Sequence, residues 1–269
     1  MIKGIAAIRG GGDVATGIAH KLFRSGFKVL ILEVEKPTMV RRTVSFGNAI
    51  FDGETVVEDV KSIRVHSLDE IFQMWKDGYI PVIVDRECSI LDEIEVEILI
   101  DATLVKRNLG LHRDMAAITI GVGPGFNAGE DVDVVIETNR GHNLGKLIFS
   151  GYAKSDTGVP GEILGFSKER VLRAPCDGII KNILDIGDRV KKDQIIAYVE
   201  EEPVKASIDG MLRGLIRNNL KVEKGLKIGD IDPRGQRKYC FTISDKARAI
   251  GGGVLESILY LKKIDWGEC

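Results

Sequence analysis

Ile5-Ala6-Ala7-Ile8-Arg9-Gly10-Gly11-Gly12-Asp13-Val14-Ala15-Thr16-Gly17 runs into a helical stretch and then into Lys28-Val29-Leu30-Ile31-Leu32-Glu33. The order is apolar strand, glycine-rich turn, helix, second strand and terminal acid. Gly10-x-Gly12-x-x-Ala15 fits the dinucleotide-binding pattern, which accepts alanine at its third place. Glu33 lies 21 residues beyond Gly12, near the spacing of a ribose-binding acid. Glycine permits the sharp turn and the close approach of a phosphate. The helix that follows offers unpaired N–H groups and a partial positive charge. Asp13, read as the N-cap, suits the helix but puts a carboxylate where a pyrophosphate belongs; Arg9, Arg41 and Arg42 offset that charge if they converge. The turn is therefore read as the site of a nucleotide or other anionic ligand. The plainer alternative is a Rossmann-like half with an empty turn.

The rest of the chain extends the pattern. Apolar periodicity at 14, 18, 22 and 23 predicts a helix over Val14–Ser25, stopped by Gly26. Ser67 and Glu70 predict a capping box at the start of a helix reaching Lys76. Residues 36–62, with Pro37, Gly47 and Gly53, read as an excursion from the sheet, a lid or a hairpin. Continuous apolar runs over Tyr79–Val84, Glu97–Ile100, Ala116–Ile120 and Val132–Ile136 suit buried parallel strands. Ligands of open α/β sheets bind at the carboxyl ends of strands, so Arg9, Glu33, Asp85, Asp101, Thr103, Gly121 and Glu137 are expected to be neighbours. A second glycine loop, Gly121-Val-Gly123-Pro124-Gly125, either covers a ligand at that edge or is a tight turn. The candidate ligand-binding set is Arg9, Gly10, Gly11, Gly12, Asp13, Ala15, Glu33, Arg41, Arg42, Thr103, Gly121 and Gly123. Asp101, Cys88 and His142 are the candidates for chemistry, each weighed against a structural role.

The chain has 269 residues, 44% hydrophobic, with 38 basic and 40 acidic side chains. The near balance of charge argues against nucleic-acid or membrane-surface binding driven by net charge. Cys88, Cys176, Cys240 and Cys269 are scattered, with neither a C-x-x-C pair nor zinc-ligand spacing, and read as reduced cytoplasmic thiols. No metal site is expected. No charged-then-apolar leader and no 18-residue apolar run is found, so no membrane span is expected.

Residues 174–197 and 206–229 repeat at an offset of 32: Ala174-Pro-Cys-Asp177-Gly178 matches Ala206-Ser-Ile-Asp209-Gly210, Val190 matches Val222, Lys192 matches Lys224, Ile196 matches Ile228, and Gly187 matches Asn219. The rhythm of short strands and Asp-Gly turns resembles the barrel-sandwich hybrid of biotinyl and lipoyl carriers. The hairpin between the repeats, Val199-Glu-Glu-Glu-Pro-Val204, lacks the lysine of a swinging arm, and Lys205 comes too late, so no covalent biotin or lipoate is expected. Ile243–Lys263 is read as a return to helix; Gly251-Gly252-Gly253, before Val254-Leu255-Glu256, is either a second anion-binding helix start or, as favoured, a means of close packing of that helix on the first domain. The expected architecture is α/β: a Rossmann-like, mostly parallel domain over 1–165, a barrel-sandwich-hybrid β domain over 166–235, and a C-terminal helical segment over 236–269.

Ile8-Arg-Gly-Gly-Gly-Asp-Val-Ala-Thr-Gly-Ile-Ala19, Val40-Arg-Arg-Thr43, Lys106-Arg-Asn-Leu-Gly110, Gly121-Val-Gly-Pro-Gly-Phe126, Glu137-Thr-Asn-Arg-Gly-His142 and Ile250-Gly-Gly-Gly-Val-Leu-Glu256 together resemble the YqeB family, nearly end to end. The chain is more distantly similar to the Rossmann domain of xanthine dehydrogenase accessory factors. The resemblance implies a part in maturing a selenium-dependent molybdenum hydroxylase or its molybdopterin cofactor, with a hydroxylase subunit as partner. Sulfur or selenium transfer asks for a thiolate in an electropositive setting, and Cys88 is the best-placed candidate, against a packing role. Two other readings stay open: an NAD(P)-dependent oxidoreductase, and a non-catalytic assembly chaperone with an empty pocket.

Overall fold

The computed structural model describes residues 4–265. The chain divides into two compact units. The first comprises the described parts of Met1–Glu35, Phe46–Asp156 and Ile243–Cys269; the second comprises Lys36–Ser45 and Thr157–Thr242.

In the first unit the chain runs β1 (Ile5–Arg9), α1 (Asp13–Arg24), β2 (Lys28–Glu33), α2 (Ala49–Asp52), β3 (Glu54–Val57), β4 (Val60–Val65), α3 (Leu68–Lys76), β5 (Ile80–Val84), β6 (Ile98–Asp101), β7 (Ile118–Val122), β8 (Asn127–Ala128), β9 (Val134–Ile136), β10 (Leu147–Ile148) and β11 (Gly151–Tyr152). The helix α4 (Asp245–Asp265) completes it. Nine strands form one sheet in the order β10-β9-β7-β6-β1-β2-β5-β4-β3. The seven inner strands are parallel, while β3 and β10 run antiparallel at the two edges. This is the mostly parallel sheet that the apolar runs predict. Ala6, Ala7, Ile8, Leu30, Ile31, Ile98 and Ile100 are fully buried, as strands covered on both faces must be. Ala7, Leu30, Leu32 and Leu99 share a core with Ile71 of α3. Half of the capping box forms: Ser67 Oγ accepts the Glu70 N–H at 3.3 Å, but Glu70 reaches back past the N-cap to the His66 N–H at 2.7 Å.

The glycine triplet lies inside α4 and does not start a second helix. Its packing explains why. A Cβ at Gly251 would come within 2.7 Å of the Gly17 carbonyl oxygen, and one at Gly253 within 2.2 Å of the Gly145 oxygen. Glycine here lets α4 lie directly on the backbone of α1, at a cost in helix propensity.

The second unit holds β12 (Val171–Arg173), β13 (Gly178–Asn182), β14 (Arg189–Val190), β15 (Ile195–Val199), β16 (Glu202–Lys205), β17 (Gly210–Leu215), β18 (Lys221–Val222) and β19 (Lys227–Asp232). They make two four-stranded antiparallel sheets, β12-β19-β17-β14 and β16-β15-β13-β18. Exchanging each strand for its counterpart in the other repeat turns the first order into the second. The 32-residue offset is thus a pseudo-twofold that exchanges the sheets, and it extends to single hydrogen bonds. Ile180 N–H donates to Leu220 O as Leu212 N–H donates to Asp188 O; Ala174 N–H donates to Leu226 O as Ala206 N–H donates to Gln194 O. Asp177 accepts the Lys224 N–H, and Asp209 the Lys192 N–H. Gly187 and Asn219 take the same left-handed backbone, at φ +98° and +64°.

The boundaries differ from the sequence reading in three places: the second unit begins at Thr157 rather than at 166, with Arg170 donating to Gly161 O at 3.0 Å, and it takes in two further segments. Residues 36–45 join this unit because Arg41 donates to Tyr239 O and Thr242 O at 3.0 and 3.1 Å, and Thr43 to Cys240 O at 2.6 Å. Residues 236–242 join it because Cys240 is part of its core. The later part of the 36–62 stretch forms a hairpin, β3–β4, but it extends the edge of the nine-stranded sheet rather than leaving it. No helix among the described residues is long and apolar enough to cross a membrane.

Candidate functional site

The strand order reverses at β1: β2 lies on one side and β6 on the other. Such a switch point opens a crevice at the carboxyl ends of the strands, and the glycine turn lies there. Gly10 takes φ +93°, and its N–H donates to Leu32 O at 2.8 Å. Gly11 is pressed against the Phe46–Gly47 segment: a Cβ on it would sit 2.6 Å from Gly47 Cα, and its carbonyl accepts the Gly47 N–H at 2.9 Å. Gly12 is different, because a Cβ there would meet nothing within 4 Å. It is also the N-cap of α1, in extended backbone, with no side-chain cap. Asp13 is therefore the first helical residue rather than the N-cap, and the helix begins one residue earlier than expected. The second glycine of the pattern leaves a helix N-terminus open at the switch point, where an anion is favoured.

The acid behind the turn is already engaged. Glu33 Oε2 accepts the Gly11 N–H at 2.7 Å, and Oε1 accepts the Val34 N–H at 2.8 Å. Burial pushes its pKa up, against the pull of those two N–H groups. Ala15 is fully buried where the pattern's third glycine would lie. Thr16 Oγ1 accepts the Phe46 N–H at 2.8 Å, tying this segment to α1, a contact with no local sequence signal.

Arg9 is nearby but committed. Its guanidinium lies 3.4 Å from Asp101 and donates to Leu109 O and Arg86 O, both at 3.0 Å. It thus clamps the loops that follow β5 and β6. Asp101, 1% exposed, takes the Thr103 N–H and hydroxyl on Oδ1 at 3.0 and 2.6 Å. Arg9, Asp101 and Thr103 therefore meet, as expected of strand ends. Asp85 caps the next turn through the Ser89 and Ile90 N–H groups. Glu137 does the same for Asn139 and Lys154. For both acids the capping role is the one the geometry fits.

Gly121 and Gly123 also serve packing. A Cβ at Gly121 would strike the Phe126 ring at 2.5 Å, and one at Gly123 would strike Thr138 Oγ1 at 2.8 Å. Cys88 is buried, and burial is the chief cause of a thiol pKa pushed up to about 11. Arg9 pulls the other way, against Asp85, Asp101 and Glu87. A thiol so placed is neutral at physiological pH, the opposite of the electropositive setting that transfer chemistry needs. His142 is exposed in its loop. Arg41 and Arg42 belong to the second unit, where Arg41 binds the carbonyls named above and Arg42 binds Leu215 O at 3.2 Å and Asp185. A cavity of about 1330 Å³ lies at the opposite edge of the sheet, lined by Ile5, Lys28, Ile94, Glu97 and Ala116 at the amino ends of the strands. The room at Gly12 and its place at the switch point, rather than cavity size, single out the turn.

Over 257 residues, 96% of its length, the chain is 51% identical to a protein of Escherichia coli strain K12 named "Uncharacterized protein YqeB". This match supports membership of the YqeB family. The chain spans about half, 48%, of that YqeB relative. No family model matches the chain. Among solved structures, an aspartoacylase family protein of Mesorhizobium loti aligns at 10% identity over 75% of this chain and 56% of that one, with a TM-score of 0.25. The ectoine utilization protein EutE of Ruegeria pomeroyi, with product bound, aligns at 10% identity over 86% of each chain, TM-score 0.26. A succinylglutamate desuccinylase of Silicibacter sp. TM1040 aligns at 12% identity over 85% and 84%, TM-score 0.25. Likenesses of this size carry no argument about the site.

Proposed function

We propose that the chain is a cytoplasmic accessory factor which binds a phosphate-bearing nucleotide or molybdopterin-type ligand at Gly12 and serves the maturation of a selenium-dependent molybdenum hydroxylase. The observation that carries the binding half is Gly12, a glycine N-cap at the start of α1 with clear space beside it at the switch point. The pathway half rests on the resemblance to the YqeB family. The second unit is read as a barrel-sandwich hybrid that docks on the hydroxylase subunit. In support, its pseudo-twofold exchanges two four-stranded sheets, and the hairpin tip between the repeats carries Glu200 and Glu201 in place of a lysine. An NAD(P)-dependent oxidoreductase is the lesser reading, because both oxygens of Glu33 already serve backbone donors where a ribose would need them.

Gly12→Asp separates binding from folding. The site has room for the side chain, and aspartate is a good N-cap, so the fold stands while a carboxylate fills the anion's place. Thermal stability is measured with NAD, NADP, ATP, CTP, GTP and molybdopterin dinucleotide. One ligand is expected to stabilise the chain by about 2.7 kcal/mol at a hundredfold excess over Kd, and the variant to lose this. Stabilisation by NAD without any by the pterin would favour the oxidoreductase. No stabilisation by any of the six would leave the assembly chaperone with an empty pocket.

A further inference from the structure

We propose that His20, Glu58 and Asp59 form a site for a divalent transition-metal ion of the zinc class. The site is separate from the glycine turn: His20 is eight residues past Gly12, about 12 Å along α1. Its ring is 7% exposed, and Nε2 faces two carboxylate oxygens, Asp59 Oδ1 at 3.0 Å and Glu58 Oε2 at 3.8 Å. All three donor atoms lie within 4.8 Å of one another. Tetrahedral zinc with bonds of about 2.0–2.2 Å sets its donors about 3.3–3.5 Å apart, and the two measured separations straddle that range.

The orientation of the carboxylates argues further. Each uses its outer oxygen for a positioning bond. Glu58 Oε1 accepts the Ile243 N–H at 3.0 Å and an Arg248 N–H. Asp59 Oδ2 accepts from Arg24 at 3.0 Å. The inner oxygens are left facing the imidazole. Outer partners of this kind fix ligand orientation in metal sites. Glu58 and Asp59 are consecutive, and side chains of consecutive strand residues point apart; here the left-handed backbone of Glu58, φ +56°, in the β3–β4 turn brings both toward α1. One nitrogen and two oxygens suit zinc and its neighbours and leave a fourth position open, the pattern of a reactive rather than a purely structural site. The two arginines lower the affinity relative to a bare donor set, so the test reads stoichiometry at saturating ion.

The full chain is dialysed against Zn²⁺, and bound metal is counted for the wild type, His20→Gln, Asp59→Asn and Cys88→Ser, with circular dichroism to check the fold. One ion per chain is expected in the wild type and Cys88→Ser, and none in the other two. Should His20→Gln fail to fold, Asp59→Asn, at an exposed hairpin tip, decides alone. No ion in the wild type, one retained in a folded His20→Gln or Asp59→Asn, or its loss from Cys88→Ser would each overturn the site and leave the three residues as an ion-paired latch.

Discussion

At Glu33 a half-buried carboxylate accepts two backbone N–H groups, and the two effects oppose each other. Burial wins, and the pKa rises above the ordinary 4.5. The folded chain therefore holds this proton more tightly than the unfolded chain. The sign follows by linkage: the contribution to stability is fully present below pH 4.5 and is lost as pH rises through the raised value. Glu33→Gln, which cannot ionise, should lack that loss. Urea unfolding at a series of pH values should show the variant's stability gaining on the wild type's as pH climbs from 4 upward; a pH-independent difference would contradict it. The acid's spacing from the glycines was legible in the sequence, because strand and helix lengths fix it. Its inward turn was not, since that depends on which side of the strand end the Gly11 N–H faces. Cys88 was visible only as a thiol after a strand; its neutrality comes from burial and from three surrounding acids.

Between α1 and α4 the adjacent glycines behave differently. Replacing either by alanine gains about 0.5–1 kcal/mol of helix stability. At Gly252 the new methyl meets only the Lys21 Nζ at 3.8 Å, so Gly252→Ala is expected to stabilise by about that amount. At Gly251 it would press on the Gly17 carbonyl at 2.7 Å. Overpacking of this kind costs about 1–3 kcal/mol, which outweighs the gain, so Gly251→Ala is expected to destabilise. Chemical denaturation of both variants checks the pair; equal shifts of the same sign would refute the close contact. The sequence reading placed this helix over Ile243–Lys263, within two residues of α4 at each end, but three successive glycines also read as a second helix start. Only the neighbouring backbone reveals that they are an interface.

Across the whole chain, the polypeptide passes between its two units at 35/36, 45/46, 156/157 and 242/243. Residues 36–45 are tied to the second unit by side-chain bonds to distant carbonyls, and this sets an expectation for local opening. In native-state hydrogen exchange under rising denaturant, the Val44 and Ser45 amides, which bond back to Arg41 and Arg42, should open together with residues 157–242. Opening with residues 46–156 instead would show the assignment to be wrong. No sequence pattern marked this crossing, because an arginine bound to a carbonyl some 200 positions away leaves no local periodicity. The repeat was legible for the converse reason. Asp177 and Asp209 each cap the backbone of the opposite half, so the same residue types recur at the same spacing.

That reciprocity also sets what one half can do alone. Within one 32-residue half only a single ribbon closes on itself, β13 with β15 or β17 with β19. The edge strands pair only across halves, β12 with β19, β14 with β17, β16 with β15 and β18 with β13. A lone half would be a hairpin with two unpartnered strands, too little to stand in water. Two identical copies would satisfy one another completely, as in a homodimer with exchanged strands. The two halves of this unit therefore depend on each other as the subunits of such a pair would, and the turn at Glu200 and Glu201 is the covalent link that keeps them together.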